Sequence, residues 1–137
     1  MLSKKLHDLY SNARYCVFST PPIIFKVDHF TPGFKKQLTK KVFRTAAFIT
    51  AFNPYGEYQP RVSNIYRQKR LQMELTYRYI DFIYGIGVDP QGCWLGEPSL
   101  LVLGIKKNFA LSLGRKFSQN AIVWIGSDCI PSLEVLV

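Results

Sequence analysis

Four short apolar segments and two amphipathic segments follow one another between Thr45 and Ile125, and their order restricts the fold more than any other feature. Short apolar segments bounded by turn residues are typical of strands, and apolar residues three or four apart are typical of helices. The predicted elements are strand, helix, strand, strand, helix and strand, at Thr45–Phe52, Ser63 to about Tyr77, Ile80–Val88, Ser99–Leu103, Lys106–Phe117 and Ala121–Ile125. This order matches the ferredoxin-like βαββαβ pattern, whose helices cover one face of a sheet.

Further elements lie on both sides of this core. Residues 2–14 have apolar residues at a weakly helical spacing, which predicts a helix. The other predicted elements are strands at Tyr15–Phe18 and Ile23–Val27, a helix from Pro32 to about Lys41 and a last strand at Leu133–Val137. We expect a single-domain α+β fold with a mixed, mostly antiparallel sheet, helices mainly on one face, and an extra N-terminal helix and strands. Residues 1–14 then form an N-terminal helix or extension, and residues 15–137 form the main domain.

Gly114 lies in the middle of the predicted helix Lys106–Phe117. A glycine there costs about 1 kcal/mol of helix stability relative to alanine. We expect that Gly114 lets this helix approach the sheet closely.

Length and cysteine usage restrict the class of protein. A chain of 137 residues fits one domain with a core of its own. The chain has three cysteines without the spacing of a zinc site: Cys16, Cys93 and Cys129. This usage favours free thiols in a reducing cytosol. We expect neither a bound metal nor a cofactor. The sequence shows no apolar stretch of the roughly 18 residues that a membrane helix needs, and no signal peptide. We therefore expect a cytoplasmic protein without a membrane partner.

The net charge of +9 is concentrated near the N-terminus. Residues 1–47 contain nine Lys and Arg but two Asp, whereas the remaining residues contain nine basic and seven acidic ones. Such an excess suits nucleic acid, an acidic protein or an anionic surface. No nucleic-acid-binding motif accompanies it, so we favour a solvated surface over a nucleic-acid interface.

Three short polar motifs interrupt the apolar segments, and they contain Asn53, Glu97 and Gln119. Each places an amide or carboxylate at the edge of a segment that is expected to be buried. A buried polar group without a hydrogen bond costs on the order of 1–3 kcal/mol. The motifs therefore predict one shared polar cluster near the strand ends.

These motifs also carry a resemblance to a known family. The segments that carry it are Ala47–Pro54, Asn64, Gly85–Pro90, Gly96–Gly104 and Gly114–Ala121. Together they resemble a bacterial family catalogued as domain of unknown function 3293, over about residues 15–137. The resemblance implies a small bacterial intracellular protein without an assigned reaction, ligand or cofactor. It also implies that Asn53, Asn64, Glu97 and Gln119 are the family's polar signature.

Each candidate residue has a structural and a functional interpretation. Glu97 is a structural carboxylate, bound to backbone N–H groups or paired with Arg67 or Arg70, or it is a general acid/base; we favour the structural role. Asn53 is a turn residue or a ligand contact, and Asn64 lies on the inner side of its helix, where it can reach the same place. Gln119 follows the last helix, and neighbouring Asn120 suits a helix C-cap.

We predict an uncharacterised binding or interaction module whose polar pocket is built from Asn53, Asn64, Arg67, Glu97 and Gln119, with Arg67 pairing with Glu97 or with an anionic ligand. Its partner is a small polar or anionic ligand or another protein. An enzyme with Glu97 as general acid/base and a basic nucleic-acid-binding protein are the alternatives, both less favoured. The last strand could pair with a second copy at a sheet edge and so form a homodimer.

Overall fold

The computed structural model describes residues 1–40, 43–92 and 95–137. In chain order the elements are α1 (Lys4–Asn12), β1 (Arg14–Val17), β2 (Ile23–Phe25), α2 (Pro32–Lys40), β3 (Ala46–Ile49), a short 3₁₀ segment (Pro54–Gly56), α3 (Arg61–Tyr77), β4 (Phe82–Val88), β5 (Glu97–Leu103), α4 (Lys107–Lys116), β6 (Ala121–Ile125) and β7 (Pro131–Val135). Two predictions fall outside the described residues: the end of a helix at Lys41 and the free thiol of Cys93. None of the helices in these ranges combines the length and apolar character that crossing a membrane requires.

The seven strands form one curled sheet in the order β2-β1-β4-β5-β3-β6-β7. All six described strand pairs are antiparallel, so the expected admixture of parallel pairs is absent from the described strands. The chain is a single small α+β domain. Its sheet is larger than the four strands of the predicted ferredoxin-like core, because β1 and β2 extend it beyond β4 and β7 extends it beyond β6.

Both faces of the sheet carry a hydrophobic core, and the helices are divided between them. On one face, Leu71 of α3 and Leu113 of α4 pack in a cluster with Ile49 of β3. On the other face, Phe34 of α2 packs in a cluster with Phe48 of β3. The prediction of helices mainly on one face is therefore wrong. Helical periodicity indicates that a helix has an apolar side, but not which sheet face that side covers.

Several element boundaries differ from the sequence prediction, among them the starts of α3, β5 and β7. Helix α3 begins at Arg61 rather than after a Ser63 cap, because Asn64 N already donates to Pro60 O at 3.1 Å. Strand β5 begins at Glu97, so this carboxylate belongs to the strand instead of preceding it. Strand β7 begins at Pro131 and is an edge strand of the described sheet. Pairing of this edge with a second copy stays a prediction.

Gly114 lies where α4 packs on the sheet. A Cβ atom at this position would lie 2.5 Å from Leu136 Cδ1 and 2.8 Å from Ile122 Cγ2. The absence of a side chain therefore allows the close approach of α4 that the sequence predicts.

We expect Gly114→Ala to lower the free energy of unfolding by about 1–3 kcal/mol, because the added methyl group overpacks this contact. The intrinsic helix preference of alanine acts in the opposite direction. Urea denaturation measures the change. Gly33→Ala in the first turn of α2 is the matched control, since its Cβ would meet Ile23 Cγ1 at an ordinary 3.4 Å. Equal stability of the two variants would contradict this account of the α4 contact.

Candidate functional site

The chain leaves the sheet directly after β3 ends, and its backbone N–H groups then bond to side chains. The acceptors are Gln68 Oε1 for Ala51 N at 2.8 Å, Thr50 Oγ1 for Phe52 N at 3.1 Å, and Asn64 Oδ1 for Asn53 N at 2.9 Å. Buried backbone donors need such partners where no neighbouring strand supplies them. This explains why β3 ends at Ile49 and not at the predicted Phe52.

The side chain of Asn53 joins three separate elements. Its Oδ1 accepts hydrogen bonds from Asn64 Nδ2 at 2.8 Å and from Gln59 N at 3.1 Å. Its Nδ2 donates to Glu97 Oε2 at 3.0 Å. The backbone of Asn53 is left-handed, with φ of 47°, a conformation that asparagine adopts more readily than most residues. The end of β3, the start of α3 and the start of β5 are thus held together by one amide.

Two further amides project from the inner side of α3. Asn64 and Gln68 lie one helical turn apart and are only 4% and 6% exposed. Gln68 Nε2 donates to Pro98 O at 3.3 Å, in addition to the bond between its Oε1 and the backbone of β3's end. Among the described residues, no buried side-chain nitrogen or oxygen lacks a hydrogen-bond partner. The amides of α3 therefore fasten this helix to the ends of two strands.

Gln119 reaches the same region from the loop after α4. Its Nε2 donates to Phe52 O and to Phe117 O, both at 3.1 Å. Asn120 does not cap α4, contrary to the sequence prediction; the left-handed residue after the helix is Ser118, with φ of 56°. Asn120 Nδ2 instead donates to the Tyr10 hydroxyl at 3.2 Å.

A cavity of about 310 Å³ lies beside this amide cluster, on the α2 side of the sheet and against α1. Its apolar lining includes Leu6, Leu9, Phe48, Val123 and Leu133. Its polar lining includes Tyr10, Tyr15, Asn53, Glu97 and Gln119. The described lining contains two charged residues, Glu97 and the exposed Lys5 of α1.

The Glu97 carboxyl group is the central polar group of the cavity. Burial raises its pKa above the usual value, and the hydrogen bond from Asn53 opposes this rise in part. No salt bridge among the described residues involves Glu97. Its Oε2 is held by Asn53, whereas Oε1 receives no hydrogen bond from the described residues. Glu97 therefore presents next to the cavity one carboxyl oxygen that no described residue engages.

Two tyrosines that sequence reasoning did not place in the site also line the cavity. Burial raises the pKa of both Tyr10 and Tyr15, and the negative charge of Glu97 raises it further. The Tyr15 hydroxyl donates to Tyr10 O at 2.6 Å. Alternation along β1 predicts which side Tyr15 faces, but no sequence signal connects either tyrosine with Glu97.

The structure brings together Asn53, Asn64 and Glu97 directly, and Gln119 through the carbonyl of Phe52. It does not bring Arg67 to them. Arg67 lies on α3, is absent from the described cavity lining, and forms no described salt bridge with Glu97. Within the described residues, no three His, Cys, Asp or Glu side chains are grouped so that they could hold a metal ion.

The raised pKa of Glu97 predicts a pH dependence of stability. Between the ordinary pKa of 4.5 and the raised pKa of the folded state, the folded protein binds a proton at Glu97 that the unfolded chain has released. The stability contributed by Glu97 is therefore complete below 4.5 and is lost as pH rises through the folded-state pKa. We expect the unfolding free energy of the wild type, relative to Glu97→Gln, to fall over this range. Urea denaturation at a series of pH values measures it, and a difference that rises with pH would contradict the assignment.

The comparisons with known proteins give one match. The model of the family described as Protein of unknown function (DUF3293) matches residues 49–122, more than half of the 137-residue chain. The matched range contains Asn53, Asn64, Glu97 and Gln119, whereas Tyr10 and Tyr15 lie before it. Neither the curated proteins nor the solved structures gave a match. The resemblance inferred from the sequence motifs is thus confirmed, and the chain belongs to the DUF3293 family.

Proposed function

We propose that this protein binds a small, partly apolar molecule carrying a cationic nitrogen or another strong hydrogen-bond donor, which Glu97 receives in the cavity beside α1. The observation that carries this proposal is the uncommitted oxygen of the partly buried Glu97 carboxyl group. A carboxylate in such surroundings is stabilised by a positively charged partner, and the described residues do not supply one.

The shape and lining of the cavity support a small ligand. Its volume of about 310 Å³ lies at the lower end of the range for small-molecule sites, roughly 300–1,000 Å³. Leu6, Leu9, Phe48 and Leu133 offer an apolar wall. Small-molecule sites commonly combine such a wall with a few fixed polar groups that orient the ligand.

The amide cluster supports this role by fixing the carboxyl group in place. Asn53 holds Glu97 Oε2, and Asn64 and Gln59 hold Asn53 in turn. A group held by such a supporting layer loses little conformational freedom when a ligand binds. The Tyr10 hydroxyl accepts from Asn120, which leaves its own hydrogen for an acceptor on the ligand.

This proposal changes the ligand charge expected from the sequence. The sequence proposes Arg67 as the partner of an anionic ligand, and Arg67 is not part of the described lining. Glu97 repels an anion at the amide end of the cavity, and Lys5 is exposed to solvent. We therefore favour a ligand whose cationic or donor group enters first and whose apolar part contacts α1.

Two organisational features belong to the same proposal. We propose that α1 and the residues before β1 act as an extension that completes the cavity, which is supported by the lining residues Lys5, Leu6, Leu9 and Tyr10.

We also propose that β3 to β6, with α3 and α4, form a ferredoxin-like unit. The order β4-β5-β3-β6 within the sheet supports this interpretation.

A second candidate function is general acid/base catalysis by Glu97, and the raised pKa of this residue beside a cavity favours it. If Glu97 is catalytic, a ligand recovered after incubation with the wild type is chemically changed, and one recovered from Glu97→Gln is not. Mass spectrometry distinguishes the two cases. Recovery of unchanged ligand from both proteins would leave binding as the function.

Calorimetric titration with benzylamine, benzyl alcohol and benzoate tests the binding proposal. We expect benzylamine to bind best, because its ammonium group can meet Glu97 while its ring contacts the apolar wall. Loss of a charged hydrogen bond in Glu97→Gln should weaken benzylamine binding roughly tenfold or more. Leu9→Trp should weaken binding of the amine and the alcohol alike, because it fills the cavity.

Glu134→Gln is the matched control, since it removes a carboxylate that pairs with Lys107 at 2.8 Å and does not line the cavity. Its affinity for benzylamine should equal that of the wild type. Stronger binding of benzoate than of benzylamine, or benzylamine binding that Glu97→Gln leaves unchanged, would contradict the proposal.

A further inference from the structure

We propose that a second surface, on the opposite face of the sheet from the cavity, docks an acidic amphipathic helix of another protein. This surface, the open face, consists of Cys16, Phe18, Ile24, Tyr84 and Ile86. It is the outer side of β1, β2 and β4, where the sheet carries apolar side chains toward solvent.

The strand register places these side chains next to one another. Cys16 is paired with Ile24 of β2 on one side and with Ile86 of β4 on the other. Phe18 N donates to Tyr84 O at 2.9 Å, so Phe18 lies opposite Tyr84 just as Cys16 lies opposite Ile86. Successive side chains of a strand point to opposite faces, so all five share the face opposite the buried Tyr15 and Val17.

Three of the five side chains of the open face are largely exposed to solvent. Ile24 is 64% exposed, Phe18 59% and Tyr84 56%. A contiguous apolar surface of this kind marks an interaction site more often than single exposed residues do.

The described helices leave this part of the sheet uncovered. On the same face, α3 and α4 pack in the cluster built on β3, β5 and β6, and α2 packs on the other face. A weak hydrogen bond from the Tyr84 hydroxyl to Gln72 Oε1, at 3.4 Å, marks where the edge of α3 lies. Three neighbouring strands span about 10 Å, which is the diameter of one helix. The open face therefore has the width for one further helix beside α3.

The positive charges on this face favour a partner helix that carries acidic residues. By the same alternation of side chains, Arg14 of β1 and Lys26, directly after β2, lie on the side of the open face. Neither residue has an acidic partner among the described residues. The register that pairs Tyr15 with Phe25 places Lys26 opposite Arg14. Like charges in opposed positions destabilise a sheet. An acidic partner relieves this repulsion, whereas a second copy of this chain would add two more cations.

The test uses a designed helical peptide of about 15 residues, which matches the length of β4. Its leucines follow the i, i+3, i+4, i+7 spacing and its other positions are glutamate. A second peptide has the same leucines with lysine in place of glutamate. We expect the full-length protein to bind the acidic peptide, with an affinity that falls as salt rises, and to bind the lysine peptide at least about tenfold more weakly.

Two pairs of variants locate the binding. Ile24→Glu should weaken binding of the acidic peptide about tenfold or more, because it places a charge within the apolar contact. Val62→Glu is its control, since Val62 is an exposed aliphatic residue of α3 outside the open face. The double variant Arg14→Gln, Lys26→Gln should weaken binding of the acidic peptide and reduce its salt dependence. Its control is the double variant Lys35→Gln, Lys36→Gln on α2, which removes the same amount of charge and should leave binding unchanged. Circular dichroism verifies that each variant is folded.

Several outcomes would overturn the proposal. These are equal binding of both peptides, no binding of the acidic peptide, or binding that Ile24→Glu leaves unchanged. Sedimentation showing a wild-type dimer that Ile24→Glu dissociates would assign the open face to a second copy. Binding of a single-stranded oligonucleotide that Ile24→Glu abolishes would assign it to nucleic acid.

Discussion

The hydrogen bonds of the Asn53 side chain connect three segments that are far apart along the chain. They join the end of β3 to the start of α3 through Asn64, and to the start of β5 through Glu97. Each of these segments would otherwise bury polar groups without partners, at a cost of about 1–3 kcal/mol per group. The amide side chain of Asn53 can make all of these bonds because it donates and accepts hydrogen bonds at the same time. The positions of the helix and of the carboxyl group depend on this one residue.

The chemistry of the cavity follows from the same connection. Glu97 is partly buried, and burial raises its pKa; the hydrogen bond from Asn53 opposes this rise only in part. The sequence favours a structural carboxylate bound to backbone N–H groups or paired with Arg67 or Arg70, and such a carboxylate would be fully committed. The observed partner, Asn53, engages Oε2 and leaves Oε1 without a hydrogen bond from the part of the chain that the structure describes. Arrangements of this type, in which burial shifts the pKa of a group at a cavity, are concentrated at functional sites.

Much of the fold could be predicted, because its elements follow from local patterns. Strand β6 has the predicted bounds Ala121–Ile125, and the other elements lie within a few residues of their predicted positions. The division of the helices between two faces could not be predicted, since an apolar helix side fits either face. The end of β3 differs from the predicted Phe52 for a different reason. Ala51 and Phe52 are apolar like a strand, but side chains of Gln68 and Thr50 take their backbone N–H groups.

The sequence by itself determined the types of the elements and the presence of buried amides and a carboxylate that must find partners. Both conclusions rest on local rules: periodicity for the elements, and the cost of desolvation for the polar groups. Only the tertiary structure decided that Tyr10 and Tyr15 lie near Glu97 while Arg67 does not. This proximity arises because β1 inserts beside β4 and brings α1 over the cavity. Strand order is set by the packing of the whole chain, and no local pattern encodes it.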